Sequence, residues 1–354
     1  MDGNETVIYA RRKRYCGSLI NWFYLMIAVI LHEPIFFSMW NFSQSYFPYN
    51  DNSQYICLRS LIKGEELCRP SCRYGYFSLY GMKYCHAWLT CNSIQSIQRH
   101  GRIGGGLVKE VYLARWEDFD VAYSELTYPQ YREDFQQGLK ILQHFHGSQR
   151  IAQLIGFCDD ILITEYYTLG ESANFQNMVR ASPEIDNISL RLQLCVDHVE
   201  ILSDLHSSVD EVMYVMCDTN NLDKLLTQYL LSEDMHLVLN DVDSVAEMTF
   251  VGGEWRGIKC GKRELEGEFV APEQKWTGAT EFNDTEMQTY DEKTDIWKVP
   301  DVCNFFLGSG PEVTRLQFKL LDIHMACKSL NPRDRPTAIQ LMLTYRKLLT
   351  QIKE

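Results

Sequence analysis

The chain has 354 residues, 45% hydrophobic and 23% charged, which is the make-up of a folded protein rather than a disordered one. Its 34 basic against 47 acidic residues leave a net charge of −13, which argues against the clustered cationic surface that a nucleic-acid duplex rewards. The length suits one large domain with short appendages, or two ordinary domains.

Arg11, Arg12, Lys13 and Arg14 precede a run from Tyr15 to Leu31 that contains no charged side chain. As a helix those 17 residues span about 26 Å, marginal for a hydrocarbon core of about 30 Å. Ile35 to Trp40 extend the run past His32-Glu33-Pro34 with aromatic residues suited to the membrane interface. Residues 1–14 therefore read as a cytosolic tail and 15–40 as a transmembrane signal anchor. No clear small-x-small cleavage site follows, so the anchor is expected to be retained rather than removed. Everything downstream then lies across the membrane, where sequons begin at Asn41, Asn187 and Asn283.

Residues 41–70 are polar, aromatic and proline-bearing without sustained periodicity, and read as a lumenal stalk. Residues 71–93 read as a cysteine-containing extension of the domain that follows. Of 12 cysteines, Cys57, Cys68, Cys72, Cys85 and Cys91 crowd this N-terminal region. Their spacing does not repeat as paired C-x-x-C ligands, which favours disulfides in an oxidising compartment over a zinc site.

From Ile94 the pattern changes. Leu107–Trp116 and Asp120–Leu126 read as strands, and Tyr131–Phe145 as a helix with apolar residues at helical spacing. Ile151–Phe157 and Ile161–Tyr167 read as further strands, with Gly170 breaking the chain after them. Leu190–His206 and Glu312–Ser329 read as long helices. An α+β chain results, strand-rich over 94–167 and helical over 168–352.

Ala271-Pro272-Glu273, Lys293-x-Asp295-Ile296-Trp297 and Arg335-Pro336 occur in the order and at roughly the spacings of the large lobe of a protein kinase. A buried Glu273 needs a buried cation, and Arg335 is its natural partner. Asp295 is suited to accept backbone N–H groups and so fix a catalytic loop. The fold expected is thus a two-lobed protein-kinase-like one behind a single N-terminal transmembrane helix.

Nucleotide-binding residues follow from that frame. Ile103 to Val111 can be laid over the glycine-rich loop G-x-G-x-x-G-x-V, with Gly104 and Gly106 letting the backbone approach phosphates and Val111 packing on adenine. Lys109 stands at the third glycine position. The tetrapeptide V-A-x-K on the next strand is here Val121-Ala122-Tyr123-Ser124, without its lysine. Lys109 shares a strand face with Val111, so its ammonium is expected to replace the missing one, as in the similar "with-no-lysine" kinases. The usual partner glutamate falls at Gly138, with Asp134 one turn earlier. Backbone groups of Glu165, Tyr166 and Tyr167 are expected to contact adenine, their side chains contributing little.

Asp218 in Met216-Cys217-Asp218-Thr219-Asn220 lies where H-R-D would be, as the carboxylate that accepts the proton of the attacking hydroxyl. Asp241 in Asn240-Asp241-Val242-Asp243 replaces the metal-binding aspartate of D-F-G, and its oxygen chemistry suits Mg²⁺, with Mn²⁺ also possible. Gln228 is the expected second metal ligand, with Asn220 its rival and Asp243 a further helper. Cys217 replaces the arginine that clamps a phosphorylated activation segment, which implies activity without such phosphorylation. Cys260 is a candidate disulfide partner for it.

The blocks CRYGYFSLYGMKYCHAWLTC, MCDTNNLDKLLTQYLL, LNDVD, YDEKTDIWK and ACKSLNPRDRPTA, within Ser71 to Lys353, resemble the protein O-mannose kinases. The resemblance implies an ATP-dependent phosphotransferase of the endoplasmic reticulum membrane, single-pass type II with a lumenal catalytic domain. It also implies a substrate: the C6 hydroxyl of mannose in a GalNAc–GlcNAc–mannose trisaccharide O-linked to alpha-dystroglycan, modified to permit assembly of a laminin-binding glycan. Two other readings use the same motifs, a lumenal Ser, Thr or Tyr protein kinase and a non-catalytic scaffold.

Overall fold

A computed structural model describes residues 54–61, 63–207, 211–279 and 281–353. The expected tail, the anchor at 15–40 and the first part of the stalk lie outside them. Among the described residues no helix is long and apolar enough to cross a membrane. The chain divides after Asn52, and the described residues belong to the unit beginning at Ser53.

The expected stalk is corrected at its C-terminal end. Tyr55–Arg59 (β1) and Glu66–Pro70 (β2) form an antiparallel hairpin, with Cys57 directly opposite Cys68 and joined to it by a disulfide. Two observations attach this hairpin to the domain. Leu58 is buried, and the Arg69 guanidinium lies 2.6 Å from the Glu165 carboxylate with both side chains under 10% exposed. The folded domain therefore includes the hairpin over 55–70, part of the expected stalk. Sequence reading missed this because a five-residue strand with one buried side chain shows almost no alternation. Two further disulfides follow, Cys72–Cys85 and Cys91–Cys158, the latter tying the short helix Cys91–Ile94 (α1) to the sheet.

That sheet has five strands, all antiparallel: Gln98–Gly105 (β5), Lys109–Trp116 (β6), Phe119–Leu126 (β7), Leu154–Cys158 (β8) and Ile161–Glu165 (β9), in the order β5-β6-β7-β9-β8. The two-residue strands Tyr76–Phe77 (β3) and His86–Ala87 (β4) pair with each other beside it. Side chains alternate faces along each strand, and the burial follows that rule. Val121, Tyr123, Ile155 and Ile163 join Phe77, Leu79, Leu89 and Ile94 in one core. Leu154 and Leu162 face the opposite way, into the main core with Phe135, Ile141 and Leu142 of the helix Arg132–His144 (α2).

The second half is mostly helical. Phe175–Ala181 (α3) leads to Ile188–Leu205 (α4), capped by Asn187, whose Oδ1 accepts the Leu190 N–H. Buried residues run along α4 from Leu192 to Leu205 on nearly every side, including Asp197, His198 and Glu200, as expected of a helix central to a core. Lys293–Leu307 (α6) and Ala338–Lys353 (α8) pack on it, with a Cys195–Cys303 disulfide joining α4 to α6. Among the described residues, Leu222–Leu226 (α5) and Pro311–Cys327 (α7) are the remaining α-helices. Between them run Val212–Met216 (β10), Tyr229–Leu231 (β11), Leu237–Leu239 (β12), Val245–Val251 (β13) and Glu254–Arg256 (β14), in sheets β10-β13-β14 and β11-β12.

Glu273 and Arg335 pair as the spacing implied. The carboxylate accepts two bonds from the guanidinium, at 2.6 and 2.8 Å, and the fork also donates to the carbonyls of Ser329 and Lys293. The Arg335 side chain is 0% exposed, so Glu273→Ala leaves a buried cation with two carbonyls and the Trp297 ring, and no carboxylate. A loss of about 3–5 kcal/mol is expected, read as a fall in the denaturant midpoint at unchanged slope.

Candidate active site

Hairpin β5–β6 turns tightly: Gly106 N–H donates to the Lys109 carbonyl at 2.9 Å, and Gly104 lies opposite Val111. Lys109 therefore opens β6 with its direction set by the turn. Its neighbour on β7 is Leu126, while Val111 lies opposite Ser124, the position where a lysine was missing. Residues 124 and 126 share a face, so Lys109 projects from one cross-strand pair along, on the same side of the sheet.

The ammonium leaves the sheet to meet the second half of the chain. Lys109 Nζ lies 2.8 Å from Asp243 Oδ2 and 3.2 Å from Asp241 Oδ1, with the lysine side chain 11% exposed. Burial alone would lower the Lys109 pKa, but attraction to Asp243 and then Asp241 outweighs it and holds the amine above an ordinary lysine. Asp241 stays below the usual carboxylate range because Lys109 overcomes the penalty of burial. For Asp243, burial and the nearby Asp241 charge overcome Lys109 and push its pKa up. The expected lysine and the expected metal ligand are thus in direct contact.

Gln228 ties this cluster to Asp218. Its carbonyl accepts the N–H groups of Asn240 and Asp241 at 2.9 and 3.3 Å, and its Nε2 donates to the Asp218 carbonyl at 3.1 Å. Its Oε1 is buried and has no hydrogen-bond partner. A buried, orphaned amide oxygen on the residue whose backbone carbonyl accepts the Asp241 N–H is a donor a hard divalent cation prefers, so Gln228 and Asp241 fit the expected Mg²⁺ site in donor chemistry. Asp218 itself has φ +54°, a left-handed conformation that aspartate tolerates better than most residues but at some cost. Asp295 supports the segment just before it: Oδ2 accepts the Met216 N–H at 3.0 Å and lies 3.1 Å from His206 Nε2.

This chain is similar to protein O-mannose kinase of Gallus gallus, 43% identical over 298 residues, covering 81% of this chain and 82% of the relative. It is 39% identical to protein O-mannose kinase of Homo sapiens over 290 residues, 80% and 82% of the two chains, and 40% identical to that of Xenopus laevis, over 78% and 80%. The chain belongs to the protein O-mannose kinase family. No protein-family model matches it.

For this family member the structure adds residues that the motifs did not reveal. Lys224, in the first turn of α5, places its ammonium 3.0 Å from Asp218 Oδ2, and Arg263 reaches within 3.8 Å of Oδ1. Lys298 is fully buried and donates to Thr219 Oγ1 at 2.5 Å, beneath the residue that follows Asp218. Burial lowers its pKa, with Asp295 opposing. A lysine next to Ile-Trp on a buried helix face was the available signal for Lys298. Lys224 carried none, because only folding brings α5 back to Asp218. Glu165 is held firmly at the end of β9: its N–H donates to the Gln153 carbonyl, and its carboxylate is held by Arg69 and by Gln153 Nε2 at 3.1 Å. Its side chain is therefore a structural anchor. The Tyr167 ring is half-buried beside it, with the hydroxyl 3.5 Å from Glu165.

Cys217 and Cys260 are joined, 43 residues apart, so the residue before Asp218 is covalently tied to the segment carrying Arg263. Cys260→Ser is expected to cost up to about 4 kcal/mol of stability from the loop-closure term alone. Turnover should fall along with it, and the Cys217→Ser/Cys260→Ser pair should be no worse than either single change. Unfolding curves and initial rates on the three variants check this.

Proposed function

We propose that this chain is an ATP-dependent kinase of O-linked mannose on a glycoprotein. The finer form of the proposal is transfer to the C6 hydroxyl of mannose within a GalNAc–GlcNAc–mannose trisaccharide of alpha-dystroglycan, by a two-lobed protein-kinase-like domain in the lumen of the endoplasmic reticulum behind a type II anchor. The observation that carries the phosphotransferase reading is the meeting of Lys109 and Asp241 next to Gln228, which is bonded in turn to Asp218. Membership of the family directs that chemistry to a mannose hydroxyl. Disulfides at Cys57–Cys68, Cys72–Cys85, Cys91–Cys158, Cys195–Cys303 and Cys217–Cys260 support an oxidising compartment.

In-line phosphoryl transfer needs positioning and neutralised charge more than covalent chemistry. In this reading Gly104, Gly106 and Val111 cover the nucleotide, the Tyr167 backbone meets adenine, and the Lys109 ammonium binds the phosphates. Mg²⁺ held by Asp241 and Gln228 would neutralise phosphate charge. Asp218 orients the sugar hydroxyl and accepts its proton. Lys224 and Arg263, already beside that carboxylate, bring positive charge to the oxygens of the transferring group. The buried Lys298–Thr219 bond keeps the Asp218 loop from shifting when the hydroxyl arrives.

The test is transfer from labelled ATP to a trisaccharide glycopeptide, with a Ser/Thr/Tyr peptide alongside and the phosphorylated carbon located by NMR. Label on mannose C6 is expected, and label on the peptide alone would overturn the reading. Asp218→Asn is expected to lower turnover by about 10²–10⁴-fold while leaving the melting temperature near that of the wild type.

A further inference from the structure

The glutamate that ordinarily pairs with the phosphate-binding lysine of a kinase stands on the helix beside the sheet. In this chain its place on α2 is Gly138. A β-carbon added at Gly138 would lie 2.2 Å from Asp243 Oδ1 and 3.3 Å from its Cγ. The Asp243 side chain thus fills the space into which a side chain at 138 would grow. Its other oxygen, Oδ2, is 2.8 Å from Lys109 Nζ. Among the described residues the ion pairs of Lys109 are with Asp241 and Asp243, and Asp134, one turn before Gly138, is in neither.

We propose that Asp243 is the positioning carboxylate of Lys109, the role of the helix glutamate transferred to the segment after Asp241, and that Gly138 is glycine because Asp243 occupies its side-chain space. The proposal rests on the nucleotide-binding reading of Lys109 given above. The two aspartates differ in the way this division of labour requires. Asp241 is 32% exposed and can turn to a cation, whereas Asp243 is 4% exposed and enclosed against α2. When Asp241 engages metal, Lys109 keeps one fixed partner. Asp243 Oδ1 is buried without a hydrogen-bond partner, so the carboxylate is held by Lys109 at one oxygen and by close packing at the other.

The consequence is that a carboxylate on α2 and one at 243 are mutually exclusive but exchangeable. Asp243→Ala and the isosteric Asp243→Asn should each lower kcat/KM for ATP at least tenfold. Their affinity for ATP, followed by displacement of a fluorescent ATP analogue without added metal, should weaken several-fold, and the fold should persist by circular dichroism. Gly138→Glu alone should lose activity, because its side chain collides with Asp243. Gly138→Glu in the Asp243→Ala background should recover at least tenfold over Asp243→Ala, a rescue that a purely structural role for Asp243 does not produce. Wild-type turnover and ATP affinity in Asp243→Asn would overturn the proposal, as would a folded double variant no better than Asp243→Ala. Wild-type protein that binds ATP yet leaves mannose unmodified would overturn the substrate reading instead, and the binding measurements would still decide the role of Asp243.

Discussion

An ammonium on the first residue of a strand, wedged between two carboxylates of a distant loop, is the contact on which the arrangement of this domain turns. Lys109 belongs to the sheet, Asp241 and Asp243 to the helical half, and the three meet at 2.8 and 3.2 Å with little solvent around them. Burying one cation and two anions is unfavourable unless their geometry is good. The surrounding structure supplies that geometry. The β5–β6 turn aims Lys109, Gln228 holds the backbone of Asp241, and the absence of a side chain at Gly138 admits Asp243. A net negative charge remains in the cluster, which is the condition under which a cation is welcome beside it.

The same economy operates around Asp218. Its loop is held by buried charged and polar groups and a disulfide: Asp295 accepts the Met216 amide, Lys298 bonds Thr219, and Cys217–Cys260 fastens the loop to the segment bearing Arg263. Hydrogen bonds and a disulfide thereby hold the chain on both sides of Asp218. The Arg69–Glu165 pair does comparable work in the sheet, fixing the end of β9 by means of a hairpin that precedes it.

How much of this could be read beforehand depends on whether the signal was local. Strands β6, β7, β8 and β9 and helices α2, α4 and α7 were legible because their apolar residues recur at periods near 2 and 3.6. Lys109 was legible because a strand has two faces and only one of them carried Val111. The Glu273–Arg335 pairing was legible because a buried charge demands an opposite one. Hairpin β1–β2 was not, since a single buried leucine and one long-range arginine define it. The contacts of Lys298 with Thr219, of Lys224 with Asp218 and of Asp243 with Gly138 were also hidden. Each depends on residues 79, 6 and 105 positions apart meeting in space, and no periodicity encodes such a meeting. The side chain of Glu165 was underestimated for the same reason: its partner Arg69 lies 96 residues upstream.

A crystal structure of the protein with a non-hydrolysable ATP analogue and Mg²⁺ tests the account most directly. Lys109 Nζ should lie within hydrogen-bonding distance of a phosphate oxygen while still paired with Asp243, and Asp241 with Gln228 Oε1 should ligate the cation. An ammonium turned away to solvent, with the phosphates held by other residues and the cation bound elsewhere, would contradict it.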